Sequence, residues 1–287
     1  MALNLELFEP RNLHAWCIVP FDAAKRGPQA RMVMLRQLGF GRLAYDWRDE
    51  HIPSFDEEVA TALEFGIDIN AWFFPWNFDK AARLSLKALD RHGVRAQLWV
   101  NGGGDHVHSV EEQRSRVREN VERLRPFVAA AGECGMQVAL YNHGGWYGEP
   151  ENQLEVVYAF EAEGANNVGL VYNWHHAHHQ MPRFGELLKL MGPRLLALNL
   201  NGMDVDGDKV GRKIIPLGQG ELDLDLLRVL AESGWSGPVG LLNHSEEDSR
   251  LRLQDNLDGL QWLVRHLRGE VPGPRPVPRS WTAPVFP

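Results

Sequence analysis

Eight times along this chain a short, nearly continuous apolar run is followed by a longer stretch with helical spacing, and that alternation restricts the fold more than any other feature. The runs are Ala15–Phe21, Arg42–Tyr45, Asp68–Phe74, Arg95–Val100, Gln137–Asn142, Asn167–Asn173, Leu195–Leu200 and Val239–Asn243. Each lacks the in–out alternation of a half-solvated strand, so each reads as a strand buried on both faces. Helical patterns lie between them over Phe55–Phe65, Phe78–His92, Val110–Cys134, Pro150–Glu163, Leu222–Ser233 and Ser249–Arg268. Ser54 stands as an N-cap, Pro150 as a first helical residue, and Gly93, Gly135, Gly164 and Gly234 as C-terminal stops. Pro126 predicts a kink or break in the longest helix.

Strands that alternate with helices pair in parallel, and eight such units close into a (β/α)8 barrel of the TIM type. An open doubly wound sheet would carry a glycine-rich phosphate turn after its first strand, and the segment Val19–Gly27 is not one. The expected organisation is one barrel over residues 1–270 and an extended proline-rich tail over 271–287, lying on the surface or on a neighbouring subunit. Pro272, Pro274, Pro276, Pro278, Pro284 and Pro287 punctuate that tail.

A formal charge of −8 without a basic cluster argues against nucleic acid and anionic membranes as partners. No run reaches the roughly 18 apolar residues of a membrane span. The first residues, Met1–Arg11, do not read as a signal peptide, which makes the cytoplasm the default location. Two cysteines, Cys17 and Cys134, are too few for a disulfide framework.

In such barrels chemistry sits after the C-terminal ends of the strands. Asn142, Asn173, Asn199 and Asn243 mark four successive strand ends, although Asn is a poor strand former. That repetition predicts a ring of amides facing one pocket and holding sugar hydroxyls. The segment from Asn173 to Gln180 carries His175, His176, His178 and His179, of which His175 and His179 are expected to face outward. His143, His176 and Glu149 are the candidate proton-transfer groups. His244, Trp146, Trp174, Asp46 and His51 are candidate substrate contacts, the indoles offering flat apolar faces to a sugar ring. Gly218 and Gly220 precede a helix as in a phosphate turn. Glu221 and Asp223 occupy the same turn, and there they complement the helix dipole without any ligand. The loops hold few cations, only scattered ones such as Arg48 and Lys209, so the expected substrate is neutral.

The segments LRQLGFGRLAYDW, VGLVYNWHHAH and IIPLGQGELDLDLLRVLAESGWSGPVGLL resemble the sugar phosphate isomerase/epimerase family, the xylose isomerase-like barrels. The resemblance covers nearly the whole chain before the tail. It implies a (β/α)8 barrel, a small-molecule sugar substrate and isomerase, epimerase or lyase chemistry. It also implies a divalent metal held by Glu, Asp, His and Glu after strands five to eight. Here those positions fall on Tyr141 or Asn142, on Asn173, on Asn199, and on Leu242 or Asn243, while the family's histidine after strand six is matched by His176. The expectation is therefore a site with no metal and no other cofactor. The alternatives are a metal site for Mn, Mg or Zn built from His143, His176, His244 and Glu149, and a barrel that binds sugar without turnover. A homo-oligomer is possible on this reading.

Overall fold

The computed structural model describes residues 3–281; Pro284 and Pro287 of the tail lie outside them. The strands are β1 (Leu13–Trp16), β2 (Arg42–Tyr45), β3 (Asp68–Phe74), β4 (Gln97–Asn101), β5 (Gln137–Tyr141), β6 (Val168–Asn173), β7 (Leu195–Leu200) and β8 (Val239–Leu242). All neighbours pair in parallel, and β1 pairs with β8 through Leu13 and Val239, which closes the barrel. The eight outer helices are α1 (Pro28–Gln37), α2 (Phe55–Glu64), α3 (Lys80–Arg91), α4 (Val110–Glu133), α5 (Pro150–Ala162), α6 (Phe184–Met191), α7 (Asp223–Glu232) and α8 (Ser249–Leu267). The (β/α)8 expectation therefore holds.

Three local expectations differ. The first strand starts two residues earlier and stops at Trp16, because Cys17 adopts a left-handed backbone with φ 58°. A non-glycine residue pays a steric cost there, and the chain leaves the ladder at that point. Ser54 makes no side-chain cap; its hydroxyl donates to the His51 carbonyl, at the end of a short 3-10 turn. Pro126 does not break α4, which runs on to Glu133.

The lumen is filled from the mouth down by Trp16, Phe73, Trp99 and Tyr141. Trp16 meets Trp99 edge-on at 4.7 Å between ring centroids, and Phe73 meets Tyr141 at 5.5 Å. Ala44, Ala71, Ala139 and Ala197 supply the room those rings need. These rings form the floor on which the site stands.

The tail lies along α8 as far as it is described. The Trp262 indole donates to the Gly273 carbonyl and Gln219 donates to the Pro276 carbonyl. Arg279 pairs with the buried Asp255 at 2.6 Å and with Asp258 at 2.7 Å. Among the described residues no helix is long and apolar enough to cross a membrane.

Candidate active site

A cavity of about 70 Å³ opens at the C-terminal ends of the strands. Its floor is Trp16, Phe73 and Tyr141, and its walls are Cys17, Phe21, Asp46, Arg48, His143, His175, His176 and His244. The histidines come from three loops. The rings of His143 and His176 stand 4.5 Å apart, and His175 stacks 3.8 Å from His176. His244 lies 3.7 Å from the Phe21 ring across the rim.

Burial dominates the electrostatics. It lowers the proton affinity of His143, His176 and His244, and that of His175 most strongly. Mutual repulsion and the Lys213 ammonium push in the same direction. The four imidazoles are therefore neutral near pH 7. His175 is fully buried, and neither ring nitrogen has a hydrogen-bond partner among the described residues.

Asp46 behaves oppositely. Its residue is 2% exposed; Oδ1 accepts from the Val19 amide at 3.3 Å, while Oδ2 has no partner. Desolvation raises its pKa to about 7 against the pull of Arg48 and Arg31. Its other titratable neighbours are Cys17, Tyr45 and Tyr141, all of which its charge drives toward their neutral forms. Near neutral pH this carboxyl exists both as acid and as base.

Of the residues expected from sequence, the fold brings His143, His176, His244 and Asp46 to the cavity. It does not bring the others there. Glu149 precedes α5 and is tied to His179 at 2.8 Å and to Arg183 at 3.2 Å. Trp146 is buried and donates to Gln113; Trp174 is buried edge-on against Phe184. His51 hydrogen-bonds the backbone of Arg48 and borders a separate recess with Arg31 and Glu58.

The asparagines are the largest difference. Asn173 and Asn199 are register partners on β6 and β7. Asn142 Oδ1 accepts from the backbone and side-chain amides of Asn173 at 2.8 and 2.7 Å. Asn199 donates to Asn173 Oδ1 at 2.6 Å and its own Oδ1 lies 2.8 Å from His14 Nε2. All three are fully buried, and their amides are consumed by one another inside the wall. Asn243 turns aside to Ser249 Oγ at 2.8 Å and the Cys17 carbonyl at 3.3 Å. For Asn142, Asn173 and Asn199, turning toward a neighbouring strand satisfies the side chains without any ligand, which is why strand-end position alone misleads; Asn243 Oδ1 stays without a partner among the described residues.

His175 was expected outside and is inside. Trp16, Phe73 and Tyr141 were not among the expected site residues; inward parity at or next to the strand end is the signal that finds them. Arg48, one of the scattered loop cations already named, lines the cavity, and Lys213, which was not named, lies near enough to act on its histidines. They come from the loops after β2 and β7, and only closure brings them to the same imidazole, His244.

A closed eight-stranded parallel barrel whose mouth carries an imidazole-lined cavity has the architecture of a TIM-type barrel with a candidate site at the strand ends. The profile of the xylose isomerase-like TIM barrel family matches residues 38–268, and the chain belongs to that family. No curated protein sequence matches it. Among solved structures it is similar to 3-keto-D-glucoside 4-epimerase YcjR from E. coli in its apo form, with TM-score 0.64, 14% identity, and coverage of 88% of this chain and 99% of that one. It is similar to the IOLI protein with a bound zinc atom, with TM-score 0.63, 18% identity, and coverage of 89% and 97%. A xylose isomerase-like barrel from Mycobacterium smegmatis in complex with magnesium matches with TM-score 0.56, 16% identity, and coverage of 91% and 97%.

These relatives correct the expectation of a site without a cofactor. Zinc and magnesium occur in structures of this fold, so metal binding is common in the family. The residues of this chain were tested against such an ion. Among the described residues no group of three or more His, Cys, Asp or Glu converges as a metal would require. The side chains as arranged do not fit a divalent ion, and the steps below use protein groups alone.

Proposed function

We propose that this chain is a sugar isomerase or epimerase that moves a proton on a carbon next to a carbonyl. The observation that carries the reading is the pair His143 and His176, 4.5 Å apart and facing one cavity with the unpartnered Asp46 oxygen. A neutral imidazole removes the carbon-bound proton. The electron pair of that bond forms the enediol double bond, and the carbonyl oxygen takes a proton from the Asp46 carboxyl. The imidazolium returns its proton to the neighbouring carbon for isomerisation, or passes it to the second imidazole, which delivers it to the opposite face of the same carbon for epimerisation; in either case the enediol hydroxyl that becomes the carbonyl gives its proton back to the Asp46 carboxylate. Both directions leave the protein's proton count unchanged. General acid–base steps of this kind contribute roughly 10²–10⁴-fold each.

Trp16, Phe73 and Tyr141 give the floor the apolar character that sugar-ring faces favour. The solved relative that acts on a keto-glucoside supports the same substrate class. The test is wash-in of solvent deuterium into a panel of keto- and aldo-sugars, followed by NMR. Deuterium at a carbon beside the carbonyl, lost in His143→Ala and His176→Ala, is the expected result. Binding without any exchange across the panel would show a sugar-binding barrel instead.

A further inference from the structure

Resting on the sugar reading above, we propose that the substrate is a sugar acid whose carboxylate is held at the cavity rim by Arg48 and Lys213. Arg48 lines the cavity directly. Its guanidinium lies 5.1 Å over the Phe21 ring and donates to the Trp47 carbonyl at 2.7 Å, so its hydrogen bonds go to backbone and not to a carboxylate. Lys213 is exposed, and its carbonyl accepts from His178 at 3.0 Å, which fixes its backbone beside the histidine loop. The other cations of the same loop are used: Lys209 pairs with Asp206 at 2.7 Å and Arg212 pairs with Asp204. Lys213 forms no ion pair among the described residues.

The charge of the cavity follows from these placements. The two cations meet at His244, which feels Arg48 and Lys213 against the single carboxylate of Glu246, and His143, His175 and His176 feel Lys213. The imidazoles are neutral. The only carboxyl lining the cavity is Asp46, half protonated near neutrality. A chain of net charge −8 therefore presents a cationic cavity. Such a cavity concentrates anions and disfavours cations.

The Arg48 fork matches a carboxylate or a phosphate, and the choice of a carboxylate rests on the barrel's phosphate-type turn. The turn that resembles a phosphate cradle is already filled. Asp223 accepts from the amides of Met203 at 2.7 Å, Gly218 at 2.7 Å and Gly220 at 3.0 Å, so those donors are spent on the chain's own carboxylate.

The experiment is calorimetric titration of the full chain with matched sets of hexoses, their uronates and their terminal phosphates, in low salt and at high ionic strength. Uronates are expected to bind roughly tenfold or more tightly than the parent sugars, the value of one charge-assisted contact. The preference should shrink in Arg48→Gln and in Lys213→Gln, and at about 1 M salt, where the Debye length is about 3 Å. Lys213 is exposed, so its variant keeps the test open if the Arg48 variant fails to fold. Equal binding of sugar and uronate would overturn the inference and leave the sugar reading standing. Tighter binding of the phosphates would overturn the carboxylate assignment. Binding of none of the three sets would overturn both.

Discussion

Gly240 on β8 leaves open the space that Asn199 Oδ1 fills from β7: a methyl group at position 240 would overlap that oxygen and the Nε2 of His14. The buried ladder from His14 through Asn199 and Asn173 to Asn142 thus depends on a missing side chain. Gly240→Ala is expected to destabilise the fold by about 3 kcal/mol, from overpacking together with a broken buried hydrogen bond. Urea unfolding measures it, and an unchanged midpoint would show that the wall can yield.

Asn173→Ala should also act on stability and not on ligand affinity. It strands the Asn199 amide in the wall and leaves Asn142 Oδ1 with the backbone donor of residue 173 alone, at about 1–3 kcal/mol for the unsatisfied group. If instead the variant folds as well as the parent and loses sugar affinity, the asparagines do face the ligand.

Asp46 gives the fold a pH dependence with a definite sign. Its folded pKa, about 7, lies above the ordinary aspartate value of 3.8. The protonated form suits the buried site, so Asp46's contribution is full below about pH 4 and is lost as pH rises through 7. Asp46→Asn removes that loss. Its stability relative to the parent should climb through this window and level off above it, by up to the order of 4 kcal/mol. Thermal melts across pH 4–9 give the answer, and a difference that does not vary with pH rejects it.

The same group shapes turnover. Neutral histidines are needed as bases, and their depressed proton affinities put the acid limb below the usual imidazole range. Protonated Asp46 is needed as the acid, so kcat/KM should fall above about pH 7. Asp46→Asn is expected to lower kcat by roughly 10²–10⁴-fold and to abolish the alkaline limb. Retention of that limb in the variant would assign it to another group.

Glu149→Gln separates the sequence expectation from the geometry. Glu149 is held by His179 and Arg183 outside the cavity, so turnover should change less than about twofold, as for a surface ion pair worth roughly 0–1 kcal/mol. A loss of activity comparable to that of the His143 variant would return Glu149 to the chemistry.

The barrel was legible because burial on both faces writes itself into the chain as apolar runs, as in Val168–Asn173, whose residues are all buried. The exit of β1 was not, because nothing in Trp16–Cys17 announces a left-handed residue. The site was legible where a residue's type and its loop sufficed, as for His143, His176 and His244. It was illegible where orientation decided: Asn142 and Tyr141 are adjacent, yet one is locked to Asn173 and the other floors the cavity. The cationic rim was hidden for another reason, since Arg48 and Lys213 meet the same cluster only after closure.

The hydrogen bond between His14 and Asn199 spans 185 residues of chain. His14 leaves the ribosome early and waits for most of the polypeptide before its partner exists. Until then a polar ring sits in a nascent half-barrel, and a buried amide oxygen on β7 lacks its donor. Closure through β1 and β8 is the step that satisfies both at once, so half-barrels remain short of a polar partner and register errors at the seam are penalised. The ladder in the wall is thus a proofreading device for assembly, active before any substrate is present.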